Sequence, residues 1–137
     1  MTAQELLIET VMTKTVVTID VATTVAQAAR QLAAHLVSCV VVVEHGQPVG
    51  ILTERDIAVC AAADHPLDAM STGDMMGSPL VSVLSTDTLA HVIQHLAAQG
   101  IRHVPVLDRA GALVGLVTQS DLLRACAELA GILPRRP

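Results

Sequence analysis

Two stretches of the chain carry a threonine and an aspartate three residues apart, directly after a run of aliphatic residues. The first pair is Thr53 and Asp56, and the second is Thr118 and Asp121. Each pair falls where a predicted strand ends and a predicted helix begins. The N-terminus of a helix offers unpaired backbone N–H groups and a positive potential, which suit a phosphate group. A carboxylate there can accept hydrogen bonds from both hydroxyl groups of a ribose, so both pairs are candidate ligand-binding residues.

A purely structural interpretation of the same four residues stays open. The pattern Ser/Thr-x-x-Asp/Glu ahead of a helix is typical of a capping box, in which the threonine hydroxyl accepts from a backbone N–H while the acid accepts from the N–H of the threonine. Both interpretations predict helices that begin at the Thr-x-x-Asp residues. They differ in whether the two carboxylates also contact a ligand.

Other residues that could bind a metal or take part in a reaction form weaker patterns. His91 and His95 stand four residues apart on one face of a predicted helix, a spacing that can bind zinc, but no third ligand is evident in the nearby sequence, and a solvated or dimer-facing pair is the competing interpretation. Cys39, Cys60 and Cys126 form no CxxC pair, which is typical of small hydrophobic thiols in a reducing compartment. No Walker loop, dinucleotide fingerprint or nucleophile elbow occurs, so no enzymatic activity is predicted.

The two threonine–aspartate pairs belong to an internal repeat. A shift of 64 residues places Met12 on Met76. One extra residue in a turn of the second copy then makes the shift 65, which places Gly50 on Gly115 and the first pair on the second. The chain therefore contains two copies of one unit of about fifty residues.

Hydrophobic spacing predicts the order β-α-β-β-α in each copy. Strands are predicted at 16–19, 39–43 and 49–52, and again at 80–83, 104–107 and 113–117. The second and third strands of each copy are joined by a short turn that contains Gly46 or Gly111, which predicts a hairpin. Helices are predicted after the cap candidates Thr23 and Asp87, and again at 55 to about 62 and at 120 to about 130.

In the first of these helices, the apolar stripe is predicted to contain Val25, Ala28, Ala29, Leu32 and Leu36. Gly100 is predicted to end the matching helix of the second copy in the left-handed conformation. Between the copies, Ser71 or Thr72 is a candidate cap for a short helical turn.

Composition restricts the class of protein. The 137 residues include no Phe, Trp or Tyr, carry a net charge of −5 and suffice for one domain or two small halves with a shared core. Apolar runs fall far below the ~18 residues of a membrane span, and the basic residues are scattered, so neither membrane nor nucleic-acid binding is predicted. The N-terminal stretch lacks an export signal, which predicts a cytoplasmic protein. Residues 134–137 are expected to be disordered.

These features together resemble a tandem pair of CBS domains, also called a Bateman module. The resemblance rests on the β-α-β-β-α unit, on V-M-T-K followed by V-V-T-I, on I-R-H-V-P-V at 101–106, and on G-h-h-T-x-x-D at the close of each copy. It places the first repeat at 8–62, a linker at 63–74 and the second repeat at 75–130. It implies an α/β (α+β) fold in which the two repeats pack through their sheets about a pseudo-twofold axis.

The resemblance also implies a ligand class and its residues. Proteins of this family bind AMP, ADP, ATP or S-adenosylmethionine in clefts between the two repeats, and they commonly form homodimers. For one cleft, the matching positions are Thr118, Ser120 and Asp121, a wall of Lys14, Ile19, Val37 and Ser38, and His103 near the phosphate. For the other, they are Thr53, Arg55 and Asp56, with a wall of Ser78, Val83, Ile101 and Arg102.

The two predicted clefts differ in charge. Arg102 and His103 stand where the family often has bases that contact phosphate, whereas the first copy has Ser38 and Cys39 there. This difference predicts that one cleft binds far better than the other.

The function expected from the resemblance is a non-enzymatic sensing module that needs no cofactor, binds an adenosine compound and signals to an unidentified target protein through a shift in conformation. The alternative is a ligand-free structural or redox-responsive interaction protein, whose Thr-x-x-Asp residues serve only as helix caps.

Overall fold

The structure is a computed structural model that describes residues 1–76 and 80–136. Its backbone divides into two compact units. The continuous unit is Val16–Val81, and the two-segment unit combines Met1–Thr15 with the residues from Ser82 onward. The predicted first repeat began at residue 8, whereas residues 8–15 belong structurally to the two-segment unit.

The continuous unit has the predicted order of elements in its first five positions. They are β1 (Thr18–Asp20), α1 (Val25–His35), β2 (Cys39–Glu44), β3 (Gln47–Thr53) and α2 (Glu54–Ala62), followed by the short α3 (Thr72–Met75). The sheet order is β1-β2-β3. The β1 strand is parallel to β2, and β2 is antiparallel to β3, so the predicted hairpin is confirmed.

The two-segment unit repeats this arrangement. A 3-10 turn at Ile8–Thr10 precedes β4 (Val83–Leu84), α4 (Leu89–Gln99), β5 (His103–Leu107), β6 (Leu113–Thr118) and α5 (Gln119–Leu129). The β4 strand pairs in parallel with β5, and β5 pairs with β6 as an antiparallel hairpin. The fold is thus of the mixed α+β class, with two three-stranded sheets in the described parts of the chain.

The first strand of each copy lies later than predicted. The aliphatic run predicted β1 at 16–19 and β4 at 80–83, but the ladders contain Thr18–Asp20 and Val83–Leu84. In the first copy, the carbonyl of Val17 only accepts from the N–H of Val41, and register pairing with β2 starts at Thr18. Aliphatic composition locates the segment, whereas partner register sets its limits.

The N-terminal segment completes the two-segment unit. The N–H of Thr13 donates to the carbonyl of Leu116 at 2.8 Å, and the N–H of Leu116 donates back at 2.9 Å, so Thr13 pairs with the free edge of β6. Earlier in the segment, the N–H of Ile8 donates to the carbonyl of Asp87 at 2.8 Å. These bonds attach the N-terminal segment to the rest of its unit. The sequence patterns predicted no secondary structure for this segment.

Helix ends show two corrections to the prediction. The N-caps of α1 and α4 are Thr24 and Thr88, whose side chains accept from the N–H three residues on, so the predicted caps Thr23 and Asp87 were wrong by one residue. Gly100 ends α4 in the left-handed conformation as predicted (φ +64°). Leu36 takes the equivalent position in α1 at φ +54° and is 92% exposed, so it does not belong to the apolar stripe.

Both cores are aliphatic, as a chain without aromatic residues requires. One cluster in the continuous unit joins buried residues of β1, α1, β2 and β3: Ile19, Ala28, Leu32, Val40, Val42 and Leu52. In the two-segment unit the largest fully buried side chains are those of Ile8, Leu89, Val92, Val104, Val106 and Val117. Its longest helices, α4 and α5, have 11 residues each, and no helix in the described ranges has the length and apolarity of a membrane span.

Candidate functional site

Thr53 and Asp56 form a complete capping box at the start of α2. The N–H of Asp56 donates to Oγ1 of Thr53 at 3.2 Å, and the N–H of Thr53 donates to Oδ2 of Asp56 at 2.9 Å. Two of the N–H groups that a helix start leaves unpaired are thereby satisfied. Within the described ranges, Oδ1 of Asp56 makes no hydrogen bond, so one oxygen of this carboxylate can still accept one.

Thr118 and Asp121 repeat the box at the start of α5 and add a third partner. The N–H of Asp121 donates to Oγ1 of Thr118 at 3.3 Å, and the N–H of Thr118 donates to Oδ2 of Asp121 at 3.0 Å. The hydroxyl of Thr13 donates to Oδ1 and Oδ2 of Asp121 at 3.1 and 3.2 Å. The capping interpretation is therefore confirmed for both helices, and a contact between either aspartate and a ligand stays a prediction.

Thr13 is a residue that sequence reasoning missed. Its N–H and carbonyl pair with Leu116 on β6, which fixes the backbone and aims the hydroxyl at Asp121. Lys14, a predicted wall residue, is exposed and is the chain neighbour of Thr13. The available signal was the position of Thr13 inside the V-M-T-K stretch, next to the candidate wall residue Lys14.

The structure also brings Arg102 and His103 to the same end of the β5–β6 sheet. His103 is the direct partner of Thr118 in the β5–β6 register. The N–H of Gln119, the first residue of α5, donates to the carbonyl of Arg102 at 3.1 Å. Two basic residues thus adjoin the start of α5, where the helix presents its positive end.

The continuous unit has the same arrangement without the bases. Cys39 is the direct partner of Thr53, and the N–H of Glu54 donates to the carbonyl of Ser38 at 2.9 Å. The side chain of Arg55 is exposed on the first turn of α2. Ser38 and Cys39 thus occupy the same places in their unit as Arg102 and His103 do in theirs. The expected charge difference between the two copies therefore lies at structurally equivalent positions.

The remaining predicted positions divide by burial. Ile19 and Val83 are buried, at 8% and 5% exposure, and Ile19 is a member of the core cluster. Val37 and Ile101 are half-buried, whereas Ser120 is exposed. Ser78 lies outside the described residues. The role of these side chains as cleft walls stays a prediction.

The fold explains why position 115 is a glycine, which the sequence pattern only partly indicated. A Cβ atom at this position would lie within 3.0 Å of the carbonyl oxygen of Thr13, and even closer to Sδ and Cγ of Met12. A glycine inside a strand is typical of a place where a ligand or neighbouring backbone approaches closely. The structure shows close approach by the N-terminal segment, so this glycine is needed to seat Thr13 near Asp121.

Cys39 is buried, which determines its chemistry. Burial, and secondarily the nearby carboxylate of Glu54, raise the pKa of its thiol to about 12. Only the thiolate is a strong nucleophile, so Cys39 is an inert thiol near neutral pH. Cys126 is exposed on α5.

We expect iodoacetamide at pH 8 to alkylate Cys126 in the native protein and to leave Cys39 unmodified until the chain is unfolded, as read by peptide mass spectrometry. Because the pKa of Cys39 rises from 9.0 to about 12 on folding, its contribution to stability is complete below pH 9 and is lost between pH 9 and 12. A Cys126→Ser variant is the control for the site of labelling. Equal rates for the two thiols in the folded protein would contradict the prediction.

His91 and His95 lie on the same face of α4, as predicted. Their rings are stacked, with centroids 6.3 Å apart and planes inclined by 9°. No group of three or more metal-binding side chains occurs in residues 1–76 and 80–136. Within these ranges the pair therefore has no third protein ligand, as a zinc site would need.

Comparison with known proteins identifies this architecture. The family model of the CBS domain matches residues 8–62 and again residues 73–128. An uncharacterized protein of Methanopyrus kandleri is 33% identical over 104 residues, which are 74% of this chain and 53% of that protein. The chain thus spans about half the length of this relative.

Two solved structures are similar over most of the chain. One is a CBS domain protein from Pyrobaculum aerophilum complexed with AMP, with 25% identity and a TM-score of 0.84, covering 93% of this chain and 98% of that one. The other is a CBS domain pair in complex with 5′-methylthioadenosine and S-adenosyl-L-methionine, with 26% identity and a TM-score of 0.81, covering 90% and 97%.

Proposed function

Because the chain belongs to the CBS-domain family and carries this domain twice, we propose that it is a regulatory module that binds an adenosine-containing ligand in the clefts between its repeats. The ligand is AMP, ADP, ATP or S-adenosylmethionine. Binding shifts the relative populations of the repeat orientations, and a target protein responds to the favoured state. The chain needs no cofactor and catalyses no reaction.

The observation that carries this proposal is the hydrogen bonding of Asp121. Its two oxygens accept from the hydroxyl of Thr13, an exposed residue, in addition to the groups of the capping box. A sugar hydroxyl has the same donor chemistry, so a ribose can replace Thr13 at Oδ1 while the capping box keeps Oδ2. In support, two similar structures contain adenosine compounds.

The surroundings of Asp121 supply the other groups that a nucleotide requires. Lys14 follows Thr13, and His103 is the register partner of Thr118, so this end of the sheet carries two basic residues beside the proposed phosphate position. Ser120 adds an exposed hydroxyl on the first turn of α5. In the proposed cleft, Ile19, Val37 and Ser38 form the wall for the base.

The second proposed cleft differs from the first in its charged residues. It uses Thr53, Arg55 and Asp56, with Ser78, Val83, Ile101 and Arg102 as its wall. The positions that match Arg102 and His103 in the first copy are Ser38 and Cys39, and the Cys39 thiol is neutral at physiological pH. We therefore propose that the two clefts bind the ligand unequally.

The proposal includes a cytoplasmic homodimer. Val59 on α2 and Leu123 on α5 are 59% and 73% exposed, and both helices follow the Thr-x-x-Asp residues in their repeats. Large exposed aliphatic side chains on two equivalent helices favour an interface between copies.

We expect calorimetric titration of the protein with AMP, ATP and S-adenosylmethionine to detect binding of at least one of them. Asp121→Ala should weaken that binding at least tenfold, because a ribose loses its acceptor, and should also cost the ~1 kcal/mol of stability expected of a lost cap. Thr24→Ala is the matched control, since it removes the capping box of α1 outside the proposed cleft.

The alternative, a ligand-free interaction protein, is favoured by one specific observation, the complete capping boxes at both aspartates. Under that alternative, none of the three compounds produces heat. Asp121→Ala and Thr24→Ala then lower the melting temperature by similar amounts and have no other effect.

A further inference from the structure

A cavity of about 260 Å³ lies within the two-segment unit, along α5. One wall is a single face of that helix, with residues at 121, 124, 125, 128 and 129. This spacing is that of side chains aligned along one side of an α-helix. The facing wall contains Leu6, Thr10 and Val11 of the N-terminal segment, and Arg135 and Arg136 close the far end.

The segment after α5 is held in place by its backbone. The chain reverses at Gly131, whose φ is +75°. The N–H groups of Ile132 and Leu133 then donate to the carbonyl of Ala127 at 2.8 and 3.2 Å. These bonds direct the following residues back along α5, which brings Arg135 and Arg136 to the cavity although their composition predicted disorder.

The charge at this cavity differs from that of the whole chain. The sequence has 13 acidic and 8 basic residues, yet three arginines meet at this one cavity. They are Arg124, Arg135 and Arg136. Glu128 lies 3.0 Å from Arg124 and 4.0 Å from Arg136, so one carboxylate faces two guanidinium groups. Among the described residues Arg135 has no ion pair, and the oxygens of Asp121 already accept from Thr13 and Thr118.

The guanidinium donors are largely unused. Nε of Arg124 and Oε1 of Glu128 are close and buried, but they are not aligned as a hydrogen bond. Charge attraction therefore positions Arg124 without consuming its donors. In the part of the chain that the structure describes, none of the three arginines donates a hydrogen bond to the protein. Each guanidinium has five N–H donors in a planar fork that matches phosphate oxygens.

The position of the acids leaves room for an anion. Asp121 stands at the start of α5, and Glu128 stands two turns later, about 10 Å along the axis. Arg124 and Arg136 lie near Glu128, whereas no ion pair joins Arg135 to either acid in the described ranges. Leu6, Val11, Ala125 and Leu129 line the same space. Such apolar walls strengthen the attraction between a guanidinium group and an anion.

We propose that this cavity is a second binding site, which takes a phosphoryl group by means of Arg124, Arg135 and Arg136. Its volume of about 260 Å³ admits an oligophosphate such as pyrophosphate. The phosphoryl group comes either from a free oligophosphate or from the phosphate chain of a nucleotide. The site is separate from the proposed adenosine cleft and shares only Asp121 with it.

Calorimetric titration with pyrophosphate at low and physiological salt tests this site. We expect pyrophosphate to bind the unaltered protein, more weakly as salt rises. The double variant Arg135→Gln/Arg136→Gln should bind it at least tenfold more weakly. Arg109→Gln is the matched control, because Arg109 is an exposed arginine of the same unit outside the cavity. ATP and AMP distinguish the source: a nucleotide whose phosphate chain occupies the cavity displaces pyrophosphate, whereas AMP bound only at Asp121 leaves it bound.

The outcomes separate this inference from the proposed function. If AMP binds and pyrophosphate does not, or if the double variant binds pyrophosphate as well as Arg109→Gln does, the inference is overturned while the function stands. If pyrophosphate binds and no adenosine compound does, the inference stands and the proposed function is overturned. A purely structural role of the two arginines at the end of α5 lowers the melting temperature of the double variant but produces no pyrophosphate binding in the unaltered protein.

Discussion

Gly115→Ala is expected to destabilise the two-segment unit by about 2–4 kcal/mol, combining an overpacked contact with weakened pairing of the N-terminal segment. The added Cβ would overlap the side chain of Met12 and lie 3.0 Å from the carbonyl oxygen of Thr13. Relief requires the Met12 side chain to leave its place and the carbonyl of Thr13 to shift, which strains the two backbone hydrogen bonds of 2.8 and 2.9 Å between Thr13 and Leu116. Urea denaturation followed by circular dichroism measures the loss.

The double variant Gly115→Ala/Met12→Ala is the informative companion. Removal of the Met12 side chain eliminates the two closest contacts and leaves the one with the backbone of Thr13. The double variant should therefore be more stable than the sum of the two single changes predicts, as expected of residues in contact. Additive losses, or an unchanged stability of Gly115→Ala, would show that the segment does not lie against β6.

Leu52→Ala is expected to cost about 2–5 kcal/mol, the range for truncation of a fully buried leucine. Leu52 has no exposed surface and packs in the aliphatic cluster of the continuous unit with Val40 and Val42. Met75 and Met76 pack against the same cluster, and the extent to which they fill the space left behind sets the loss within this range. Urea denaturation again supplies the measurement.

Val59→Ala is the matched control for Leu52→Ala. It also shortens an aliphatic side chain in the continuous unit, but Val59 is 59% exposed. Its effect on the monomer should stay within about 0.5 kcal/mol, as for most surface changes. Similar losses for the two variants would contradict the assignment of Leu52 to the core.

The hairpins, helices and repeat of this fold could be predicted because local patterns determine them. Alternating and β-branched residues around Gly46 and Gly111 predict the two hairpins, and both glycines have positive φ. Gly100 predicts a helix end for the same reason. Leu36 shows the limit of such patterns, because its spacing fits an apolar stripe while its left-handed backbone turns the side chain into solvent.

The N-terminal segment could not be predicted, because its structure depends on distant partners. Residues 1–11 have no clear periodicity, and their backbone bonds go to residues such as Asp87. The start of β1 depends similarly on Val41 in another strand. Long-range register of this kind leaves little trace in local composition.

The candidate site could be predicted in part. The Thr-x-x-Asp pattern correctly located two helix starts, but the same pattern serves capping and ligand binding, so it could not decide between them. The hydroxyl of Thr13 at Asp121 required the fold to be known. The same holds for Arg135 and Arg136, whose polar, proline-flanked stretch predicted disorder but which the structure places at a cavity.

The pairing of the N-terminal segment with β6 has a consequence for synthesis on the ribosome. Thr13 and its partner Asp121 are 108 positions apart. Thr13 must therefore stay without its partners on β6 and α5 until those residues have been synthesised. The continuous unit, Val16–Val81, needs no later residue for its own sheet and can form first. During synthesis, folding of the two-segment unit thus lags behind that of the continuous unit.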